Sequence, residues 1–160
     1  MKIMSKALLA LGVGLCLSAT VNAQSMSVGS ASGAPGGATT PATVPVTFTR
    51  NAATPVADFG FRVNYNTTNL DATVAAANGG GCSVNDGLGR ITVLAPAGQS
   101  DIQSNVFCNI TFTIAAGAPA PSTQNLTLTT EPGGCLDASA GAVNCTLTPG
   151  AITVTAGGGN

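Results

Sequence analysis

Large apolar side chains recur at every second position along much of this chain, the period expected of strands with one buried face. From Val44 to Thr49, Val44, Val46 and Phe48 alternate with Pro45, Thr47 and Thr49. From Phe59 to Tyr65, Phe59, Phe61, Val63 and Tyr65 alternate with Gly60, Arg62 and Asn64. A helix would need apolar groups three and four apart, which neither stretch supplies. Asn51 to Pro55 separates the two strands and Asn66 to Asn69 follows the second, both rich in turn formers. Three of the five Phe and the one Tyr fall on these inward faces, so core packing is their predicted role.

The same alternation places further strands. Met26 to Val28 reads as a short edge strand with Gly29 to Pro41 as a long turn behind it, and Leu70 to Val74 as another short strand. Ala75 to Gly81 is a glycine-rich loop without the GxxxxGK spacing that cradles phosphate. Cys82 to Val84 and Arg90 to Leu94 flank Asn85-Asp86-Gly87, a hairpin signal whose oxygen ligands are too few for a calcium loop. In Val106 to Ile114 the pattern sends Val106, Cys108, Ile110, Phe112 and Ile114 inward, and Phe107, Asn109, Thr111 and Thr113 outward. Asn125 to Thr129 and Ala151 to Thr155 complete the set. Eight or nine short strands between turn clusters predict an all-β chain folded as an antiparallel two-sheet sandwich.

Residues 1–23 have a different character. Lys2 and Lys6 precede an apolar run from Ala7 to Leu17, and Val21-Asn22-Ala23 fits small-x-small cleavage, so this segment reads as a secretory signal. The run is too short to span a bilayer. The expectation is an exported protein cut near Ala23, with one sandwich domain over 24–155 and a glycine-rich tail over 156–160.

Beyond the signal, Arg50, Arg62 and Arg90 face six acids, a net charge of −3, and neither lysine nor histidine remains. With no basic patch to neutralise phosphates, nucleic-acid binding is excluded as a reading. Triads lack their histidine base. The acids are scattered singly, whereas a glycosidase needs two carboxyls within about 5–10 Å. Enzyme function is therefore not expected, nor a cofactor. Four cysteines remain, Cys82, Cys108, Cys135 and Cys145, and an even number in an exported chain argues for two disulfides. Three pairings are possible. The short segment between Cys135 and Cys145 makes that pair the cheapest to close, which leaves Cys82 with Cys108. Without histidine or CxxC spacing, a metal site is not expected.

Taken in order, MSVGSASGAPGG from Met26, VPVTFT from Val44, VADFGFRVNYNTTNLDAT from Val56, GRITVLA from Gly89, DIQSNVFCNITFTI from Asp101 and GAITVT from Gly150 resemble a cohesin domain. The resemblance runs from Met26 to Thr155 and implies a jelly roll of about nine strands, similar to some carbohydrate-binding modules. It also implies a partner, since cohesins bind a dockerin module with one sheet face against its helices. Carried over residue by residue, that face comprises Arg62, Asn64, Thr92, Asn109, Thr111 and Thr113. The four cysteines and the insertion from Thr39 to Ala42 depart from the family pattern. The family's strand order also separates the strands of Cys82 and Cys108, although a disulfide needs Cα atoms within about 7 Å.

The expected function is thus a secreted, non-catalytic module that binds an extracellular protein through an uncharged Thr/Asn-rich face. A carbohydrate-binding module is the first alternative. It is disfavoured by the absence of Trp and by the single outward aromatic, Phe107, since sugars stack on flat exposed rings. A structural subunit of an extracellular fibre, exchanging edge strands between copies, is the second.

Overall fold

A computed structural model describes residues 24–36, 42–50 and 54–156. The secretory segment, most of the Thr39–Ala42 insertion and the Gly157–Asn160 tail lie outside the described residues. Among the described residues twelve strands occur in chain order: β1 (Gln24–Val28), β2 (Ala31–Gly33), β3 (Ala42–Thr49), β4 (Asp58–Asn64), β5 (Leu70–Ala76), β6 (Gly81–Asn85), β7 (Arg90–Leu94), β8 (Asn105–Ile114), β9 (Ser122–Leu136), β10 (Ala142–Val143), β11 (Cys145–Thr148) and β12 (Gly150–Val154). They form two sheets. One has five strands in the order β11-β1-β3-β8-β5; the other has seven, β2-β12-β9-β4-β7-β6 with β10 paired to β9.

The alternation read from the sequence is what closes the two sheets on each other. Val44, Val46 and Phe48 are fully buried from β3, and Phe61 and Val63 from β4. Phe59 sits at the centre of an aromatic cluster, with ring centroids 5.2 Å from Phe48, 5.7 Å from Phe61 and 5.3 Å from Phe107. Tyr65 meets Phe112 edge-on at 5.4 Å across the interior. Such contacts add to the burial that drives the sheets together.

Three expectations need correction. Phe107 does not point outward; it is only 3% exposed. The register between β3 and β8 slips, with Val46 opposite Cys108 but Thr47 opposite Val106. Phe107 is the extra residue of that bulge, so it turns inward beside Cys108 and leaves Val106 only half-buried. A period of two cannot reveal a residue that breaks the period.

The second correction concerns Met26 to Val28, which is no edge strand. β1 lies between β3 and β11, and its pairing with β11 is parallel. After Val28 the chain changes sheets, and β2 runs parallel to β12. The crossing is built by small residues. The Gly29 N–H donates to the Pro45 carbonyl at 2.8 Å, and Ser30 Oγ accepts from the Ala151 N–H at 3.0 Å. A Cβ on Gly150 would overlap the Gly29 carbonyl oxygen. This split, with a similar one between β11 and β12, raises the strand count above nine and adds two parallel pairs to an otherwise antiparallel sandwich.

The third concerns the strand-order objection to the Cys82–Cys108 pair, not the pairing itself. Both predicted pairs form, Cys82–Cys108 and Cys135–Cys145, with Cα atoms 5.8 and 6.1 Å apart. Cys82 is on β6 of the larger sheet and Cys108 on β8 of the smaller. Strand adjacency within a sheet is therefore unnecessary, because the bond crosses the interior from one sheet to the other. Cys135 on β9 and Cys145 on β11 do the same.

Candidate interaction surface

The six residues proposed from sequence do not form one surface. Arg62 and Asn64 on β4 and Thr92 on β7 belong to the outer face of the seven-stranded sheet, where Arg62 is opposite Thr92 and Asn64 opposite Arg90. Asn109, Thr111 and Thr113 lie on β8, on the outer face of the five-stranded sheet. The sandwich separates the two groups.

The five-stranded face is a field of hydroxyls. Thr43, Thr111 and Thr73 form a row across β3, β8 and β5, and the Thr43 and Thr111 Oγ1 atoms are 3.1 Å apart. Asp71, opposite Thr113, adds a charge at the β5 edge.

The seven-stranded face is more varied. Arg62 Nε forms an ion pair with Glu131 Oε1, and Asn64 Nδ2 donates to Thr129 Oγ1 at 3.3 Å. Ser83 of β6 continues the Arg62–Thr92 row. Leu94 is 47% exposed and stands between Gly60 of β4 and Gly81 of β6, its cross-strand neighbours. With no side chain on either glycine, the leucine projects from a lowered floor. An open groove of about 650 Å³ adjoins this face, lined by Arg62, Glu131, Gly133, Asn144 and the Cys135–Cys145 cystine.

Leu94 and Glu131 were missed by sequence reasoning for different reasons. In RITVL the inward phase belongs to Ile91 and Val93, so Leu94 was already outward by the same alternation. Glu131 falls beyond the predicted Asn125–Thr129 strand, yet β9 continues to Leu136. The segment between Thr130 and Cys135 loops out against β4, since Phe61 pairs with Thr130 and Phe59 with Cys135. Gly133 and Gly134, both at positive φ, allow that excursion.

Polar ties fix the loops around the faces. Tyr65 Oη donates to Asp86 Oδ1 at 2.5 Å, holding the β6–β7 hairpin tip, so Asn85-Asp86-Gly87 is a turn as expected. Burial first, then this bond, push the Tyr65 phenol well above its usual range. Arg50 grips Asp101 with two bonds of 2.6 and 2.5 Å, and the guanidinium holds the Asp101 carboxyl below the usual carboxylate range. Among the described residues no group of three or more His, Cys, Asp or Glu side chains is placed to hold a metal ion, and no helix is long and apolar enough to cross a membrane.

No match was found among curated protein sequences. Solved structures do match. The sixth cohesin of scaffoldin B from Acetivibrio cellulolyticus, solved with a Cel5 dockerin mutant, shares 21% identity over 82% of this chain and 99% of that one, with a TM-score of 0.67. The OlpA cohesin solved with Doc918 from Clostridium thermocellum shares 15% over 83% and 99%, at 0.69. A non-cellulosomal cohesin from the archaeon Archaeoglobus fulgidus shares 17% over 82% and 91%, at 0.63. These likenesses establish the same sandwich. The family model described as Cohesin domain matches residues 25–154, and the chain belongs to that family.

Proposed function

We propose that this chain is an exported, non-catalytic binding module whose seven-stranded face docks a helical protein module of the dockerin kind. The observation that carries the reading is Leu94, an exposed apolar side chain set between two glycines within a polar surround of Arg62, Thr92 and Ser83. Interfaces concentrate their energy in a few such anchors ringed by polar groups. Three strands at about 4.8 Å spacing give a track about 10 Å wide, the diameter of a helix with its side chains. Two of the solved cohesins to which the chain is similar are complexes with dockerins. Two cystines and a secretory-type segment support export.

The test is titration of the exported domain with a panel of dockerin modules by calorimetry, wild type beside Leu94→Asp and Thr111→Asp. Binding lost with the first variant and kept with the second supports the face. Equal binding by all three, or loss with Thr111→Asp alone, refutes it.

A further inference from the structure

At one end of the sandwich, the turn between β5 and β6 and the loop from Ala95 to Ser104 enclose a second open groove of about 400 Å³. That volume lies within the range of small-ligand sites. Pro96 and Ala97 rim it above the buried Ile102 and Phe107, and four carboxamides, Asn78, Gln99, Gln103 and Asn105, supply its polar groups. No charged side chain lines it among the described residues.

The backbone of Val106 sets two of those amides. Asn78 Nδ2 donates to the Val106 carbonyl at 2.6 Å, while the Val106 N–H donates to Asn105 Oδ1 at 3.0 Å. Asn78 Nδ2 also donates to that Asn105 Oδ1, at 3.0 Å. A carbonyl only accepts and an N–H only donates, so neither amide can be turned over. What is left for a ligand is the acceptor Oδ1 of Asn78 and the donor Nδ2 of Asn105. Gln103 Nε2 donates to the Asp101 carbonyl at 3.1 Å and to Asp101 Oδ2 at 3.3 Å, which leaves Gln103 Oε1 as a second acceptor. Gln99 makes no hydrogen bond among the described residues and adds one group of each kind.

The walls are held in place independently of any ligand. Arg50 anchors the 95–104 loop through Asp101 and through its own N–H to Ser104 Oγ at 2.8 Å, and the Ile102 N–H donates to the Val56 carbonyl at 2.6 Å. On the opposite wall the Ala77 N–H donates to the Phe107 carbonyl at 3.0 Å, and Asn78 is held at a φ of 50°. Backbone conformations of that kind gather at ligand clamps as well as at turns.

We propose that this groove binds a neutral saccharide through hydrogen bonds alone, without the exposed stacking ring that a carbohydrate-binding module would present. Uncharged acceptors and donors in fixed positions complement vicinal hydroxyls, each of which both gives and takes a hydrogen bond. Phosphate and carboxylate ligands would find no cation there. An extended peptide is normally recognised by the backbone of a strand edge, whereas this groove is built from side chains, most of them in loops. Pre-set loops bind without a further ordering cost. Arg62, Thr92 and Leu94 do not line the groove, so the inference stands apart from the protein-docking reading.

The experiment follows the side-chain NH₂ resonances of Gln99, Gln103 and Asn105 by NMR in the folded domain. Gluco-, xylo-, manno-, galacto- and chito-oligosaccharides are added to ~10 mM, with oligogalacturonate and an uncharged Thr/Ala/Gly peptide as comparisons. The expected result is saturable shifts of these three side chains with at least one neutral saccharide, and none with the uronate. Asn105→Asp keeps an oxygen for Asn78 and for the Val106 N–H but replaces the outward donor with a charge. It should weaken binding about tenfold or more with the spectrum otherwise intact. Gln99→Ala should weaken it less, and Thr111→Asp not at all. Shifts absent with every neutral saccharide, equal shifts with the uronate, shifts with the peptide alone, or undiminished binding by folded Asn105→Asp would each overturn the proposal.

Discussion

The two outer faces of this sandwich are built from the same strand grammar and differ in what the outward positions carry. On the five-stranded face a row of threonines, Thr43, Thr111 and Thr73, stands in register, with Thr43 bonded to Thr111 and no exposed apolar anchor among the described residues. On the seven-stranded face they include an exposed leucine framed by glycines and an arginine paired with Glu131. A threonine array offers any partner roughly what water already offers it. An isolated apolar side chain among oriented polar groups offers a partner something water cannot, and that asymmetry is the ground for proposing the seven-stranded face.

The most disruptive way to break the comparison is to release the faces from each other. Replacing Cys82 and Cys108 together by alanine should lower stability by about 2–4 kcal/mol in denaturant titration. A loss below about 1 kcal/mol would mean that core packing alone keeps the faces apart and aligned. Next comes the anchor. Leu94→Asp should weaken a dockerin-type partner about a hundredfold, while Thr111→Asp changes affinity about twofold or less. The reverse ranking in calorimetry would transfer the function to the other face. Arg62→Ala should cost about fivefold, less at high salt, because its ion pair is partly exposed and screened. An effect as large as that of Leu94→Asp would mean that charge, and not the apolar anchor, defines the surface.

The smallest effect samples the space between the faces. Tyr65 follows β4 of one sheet, packs on Phe112 of the other, and is the only tyrosine in the chain. Its folded pKa is raised, so its contribution to stability is complete below the ordinary value near 10 and is lost as pH climbs towards the folded one. Phenolate absorbance should therefore lag behind that of the unfolded protein, and Tyr65→Phe should flatten the alkaline arm of the stability curve. Titration at the ordinary value would show that water reaches the interior.

Most of the fold was legible because burial imposes a period, and a period survives in the residues. The alternation in β3, β4 and most of β8 named the core side chain by side chain, and Leu94's exposure was implicit in the same rhythm in β7. Departures from the rhythm were not legible. The bulge that turns Phe107 inward, the crossing at Gly29 and the excursion before Cys135 all depend on contacts between segments far apart in the chain. Sheet membership was hidden for the same reason. Asn109 and Asn64 read alike as outward polar positions on neighbouring-looking strands, and only the strand order puts the sandwich between them. Three of the four groove carboxamides fall in loops, where no period exists, the fourth, Asn105, opens β8, and Val106's backbone is what orients two of them.

The parallel pairs at the two ends of the described chain bear on mechanics. β1 lies alongside β11, and β2 alongside β12, with matching directions. A tether pulling on Gln24 and Val154 in opposite senses would slide these strands past one another, loading several hydrogen bonds at once instead of peeling them singly.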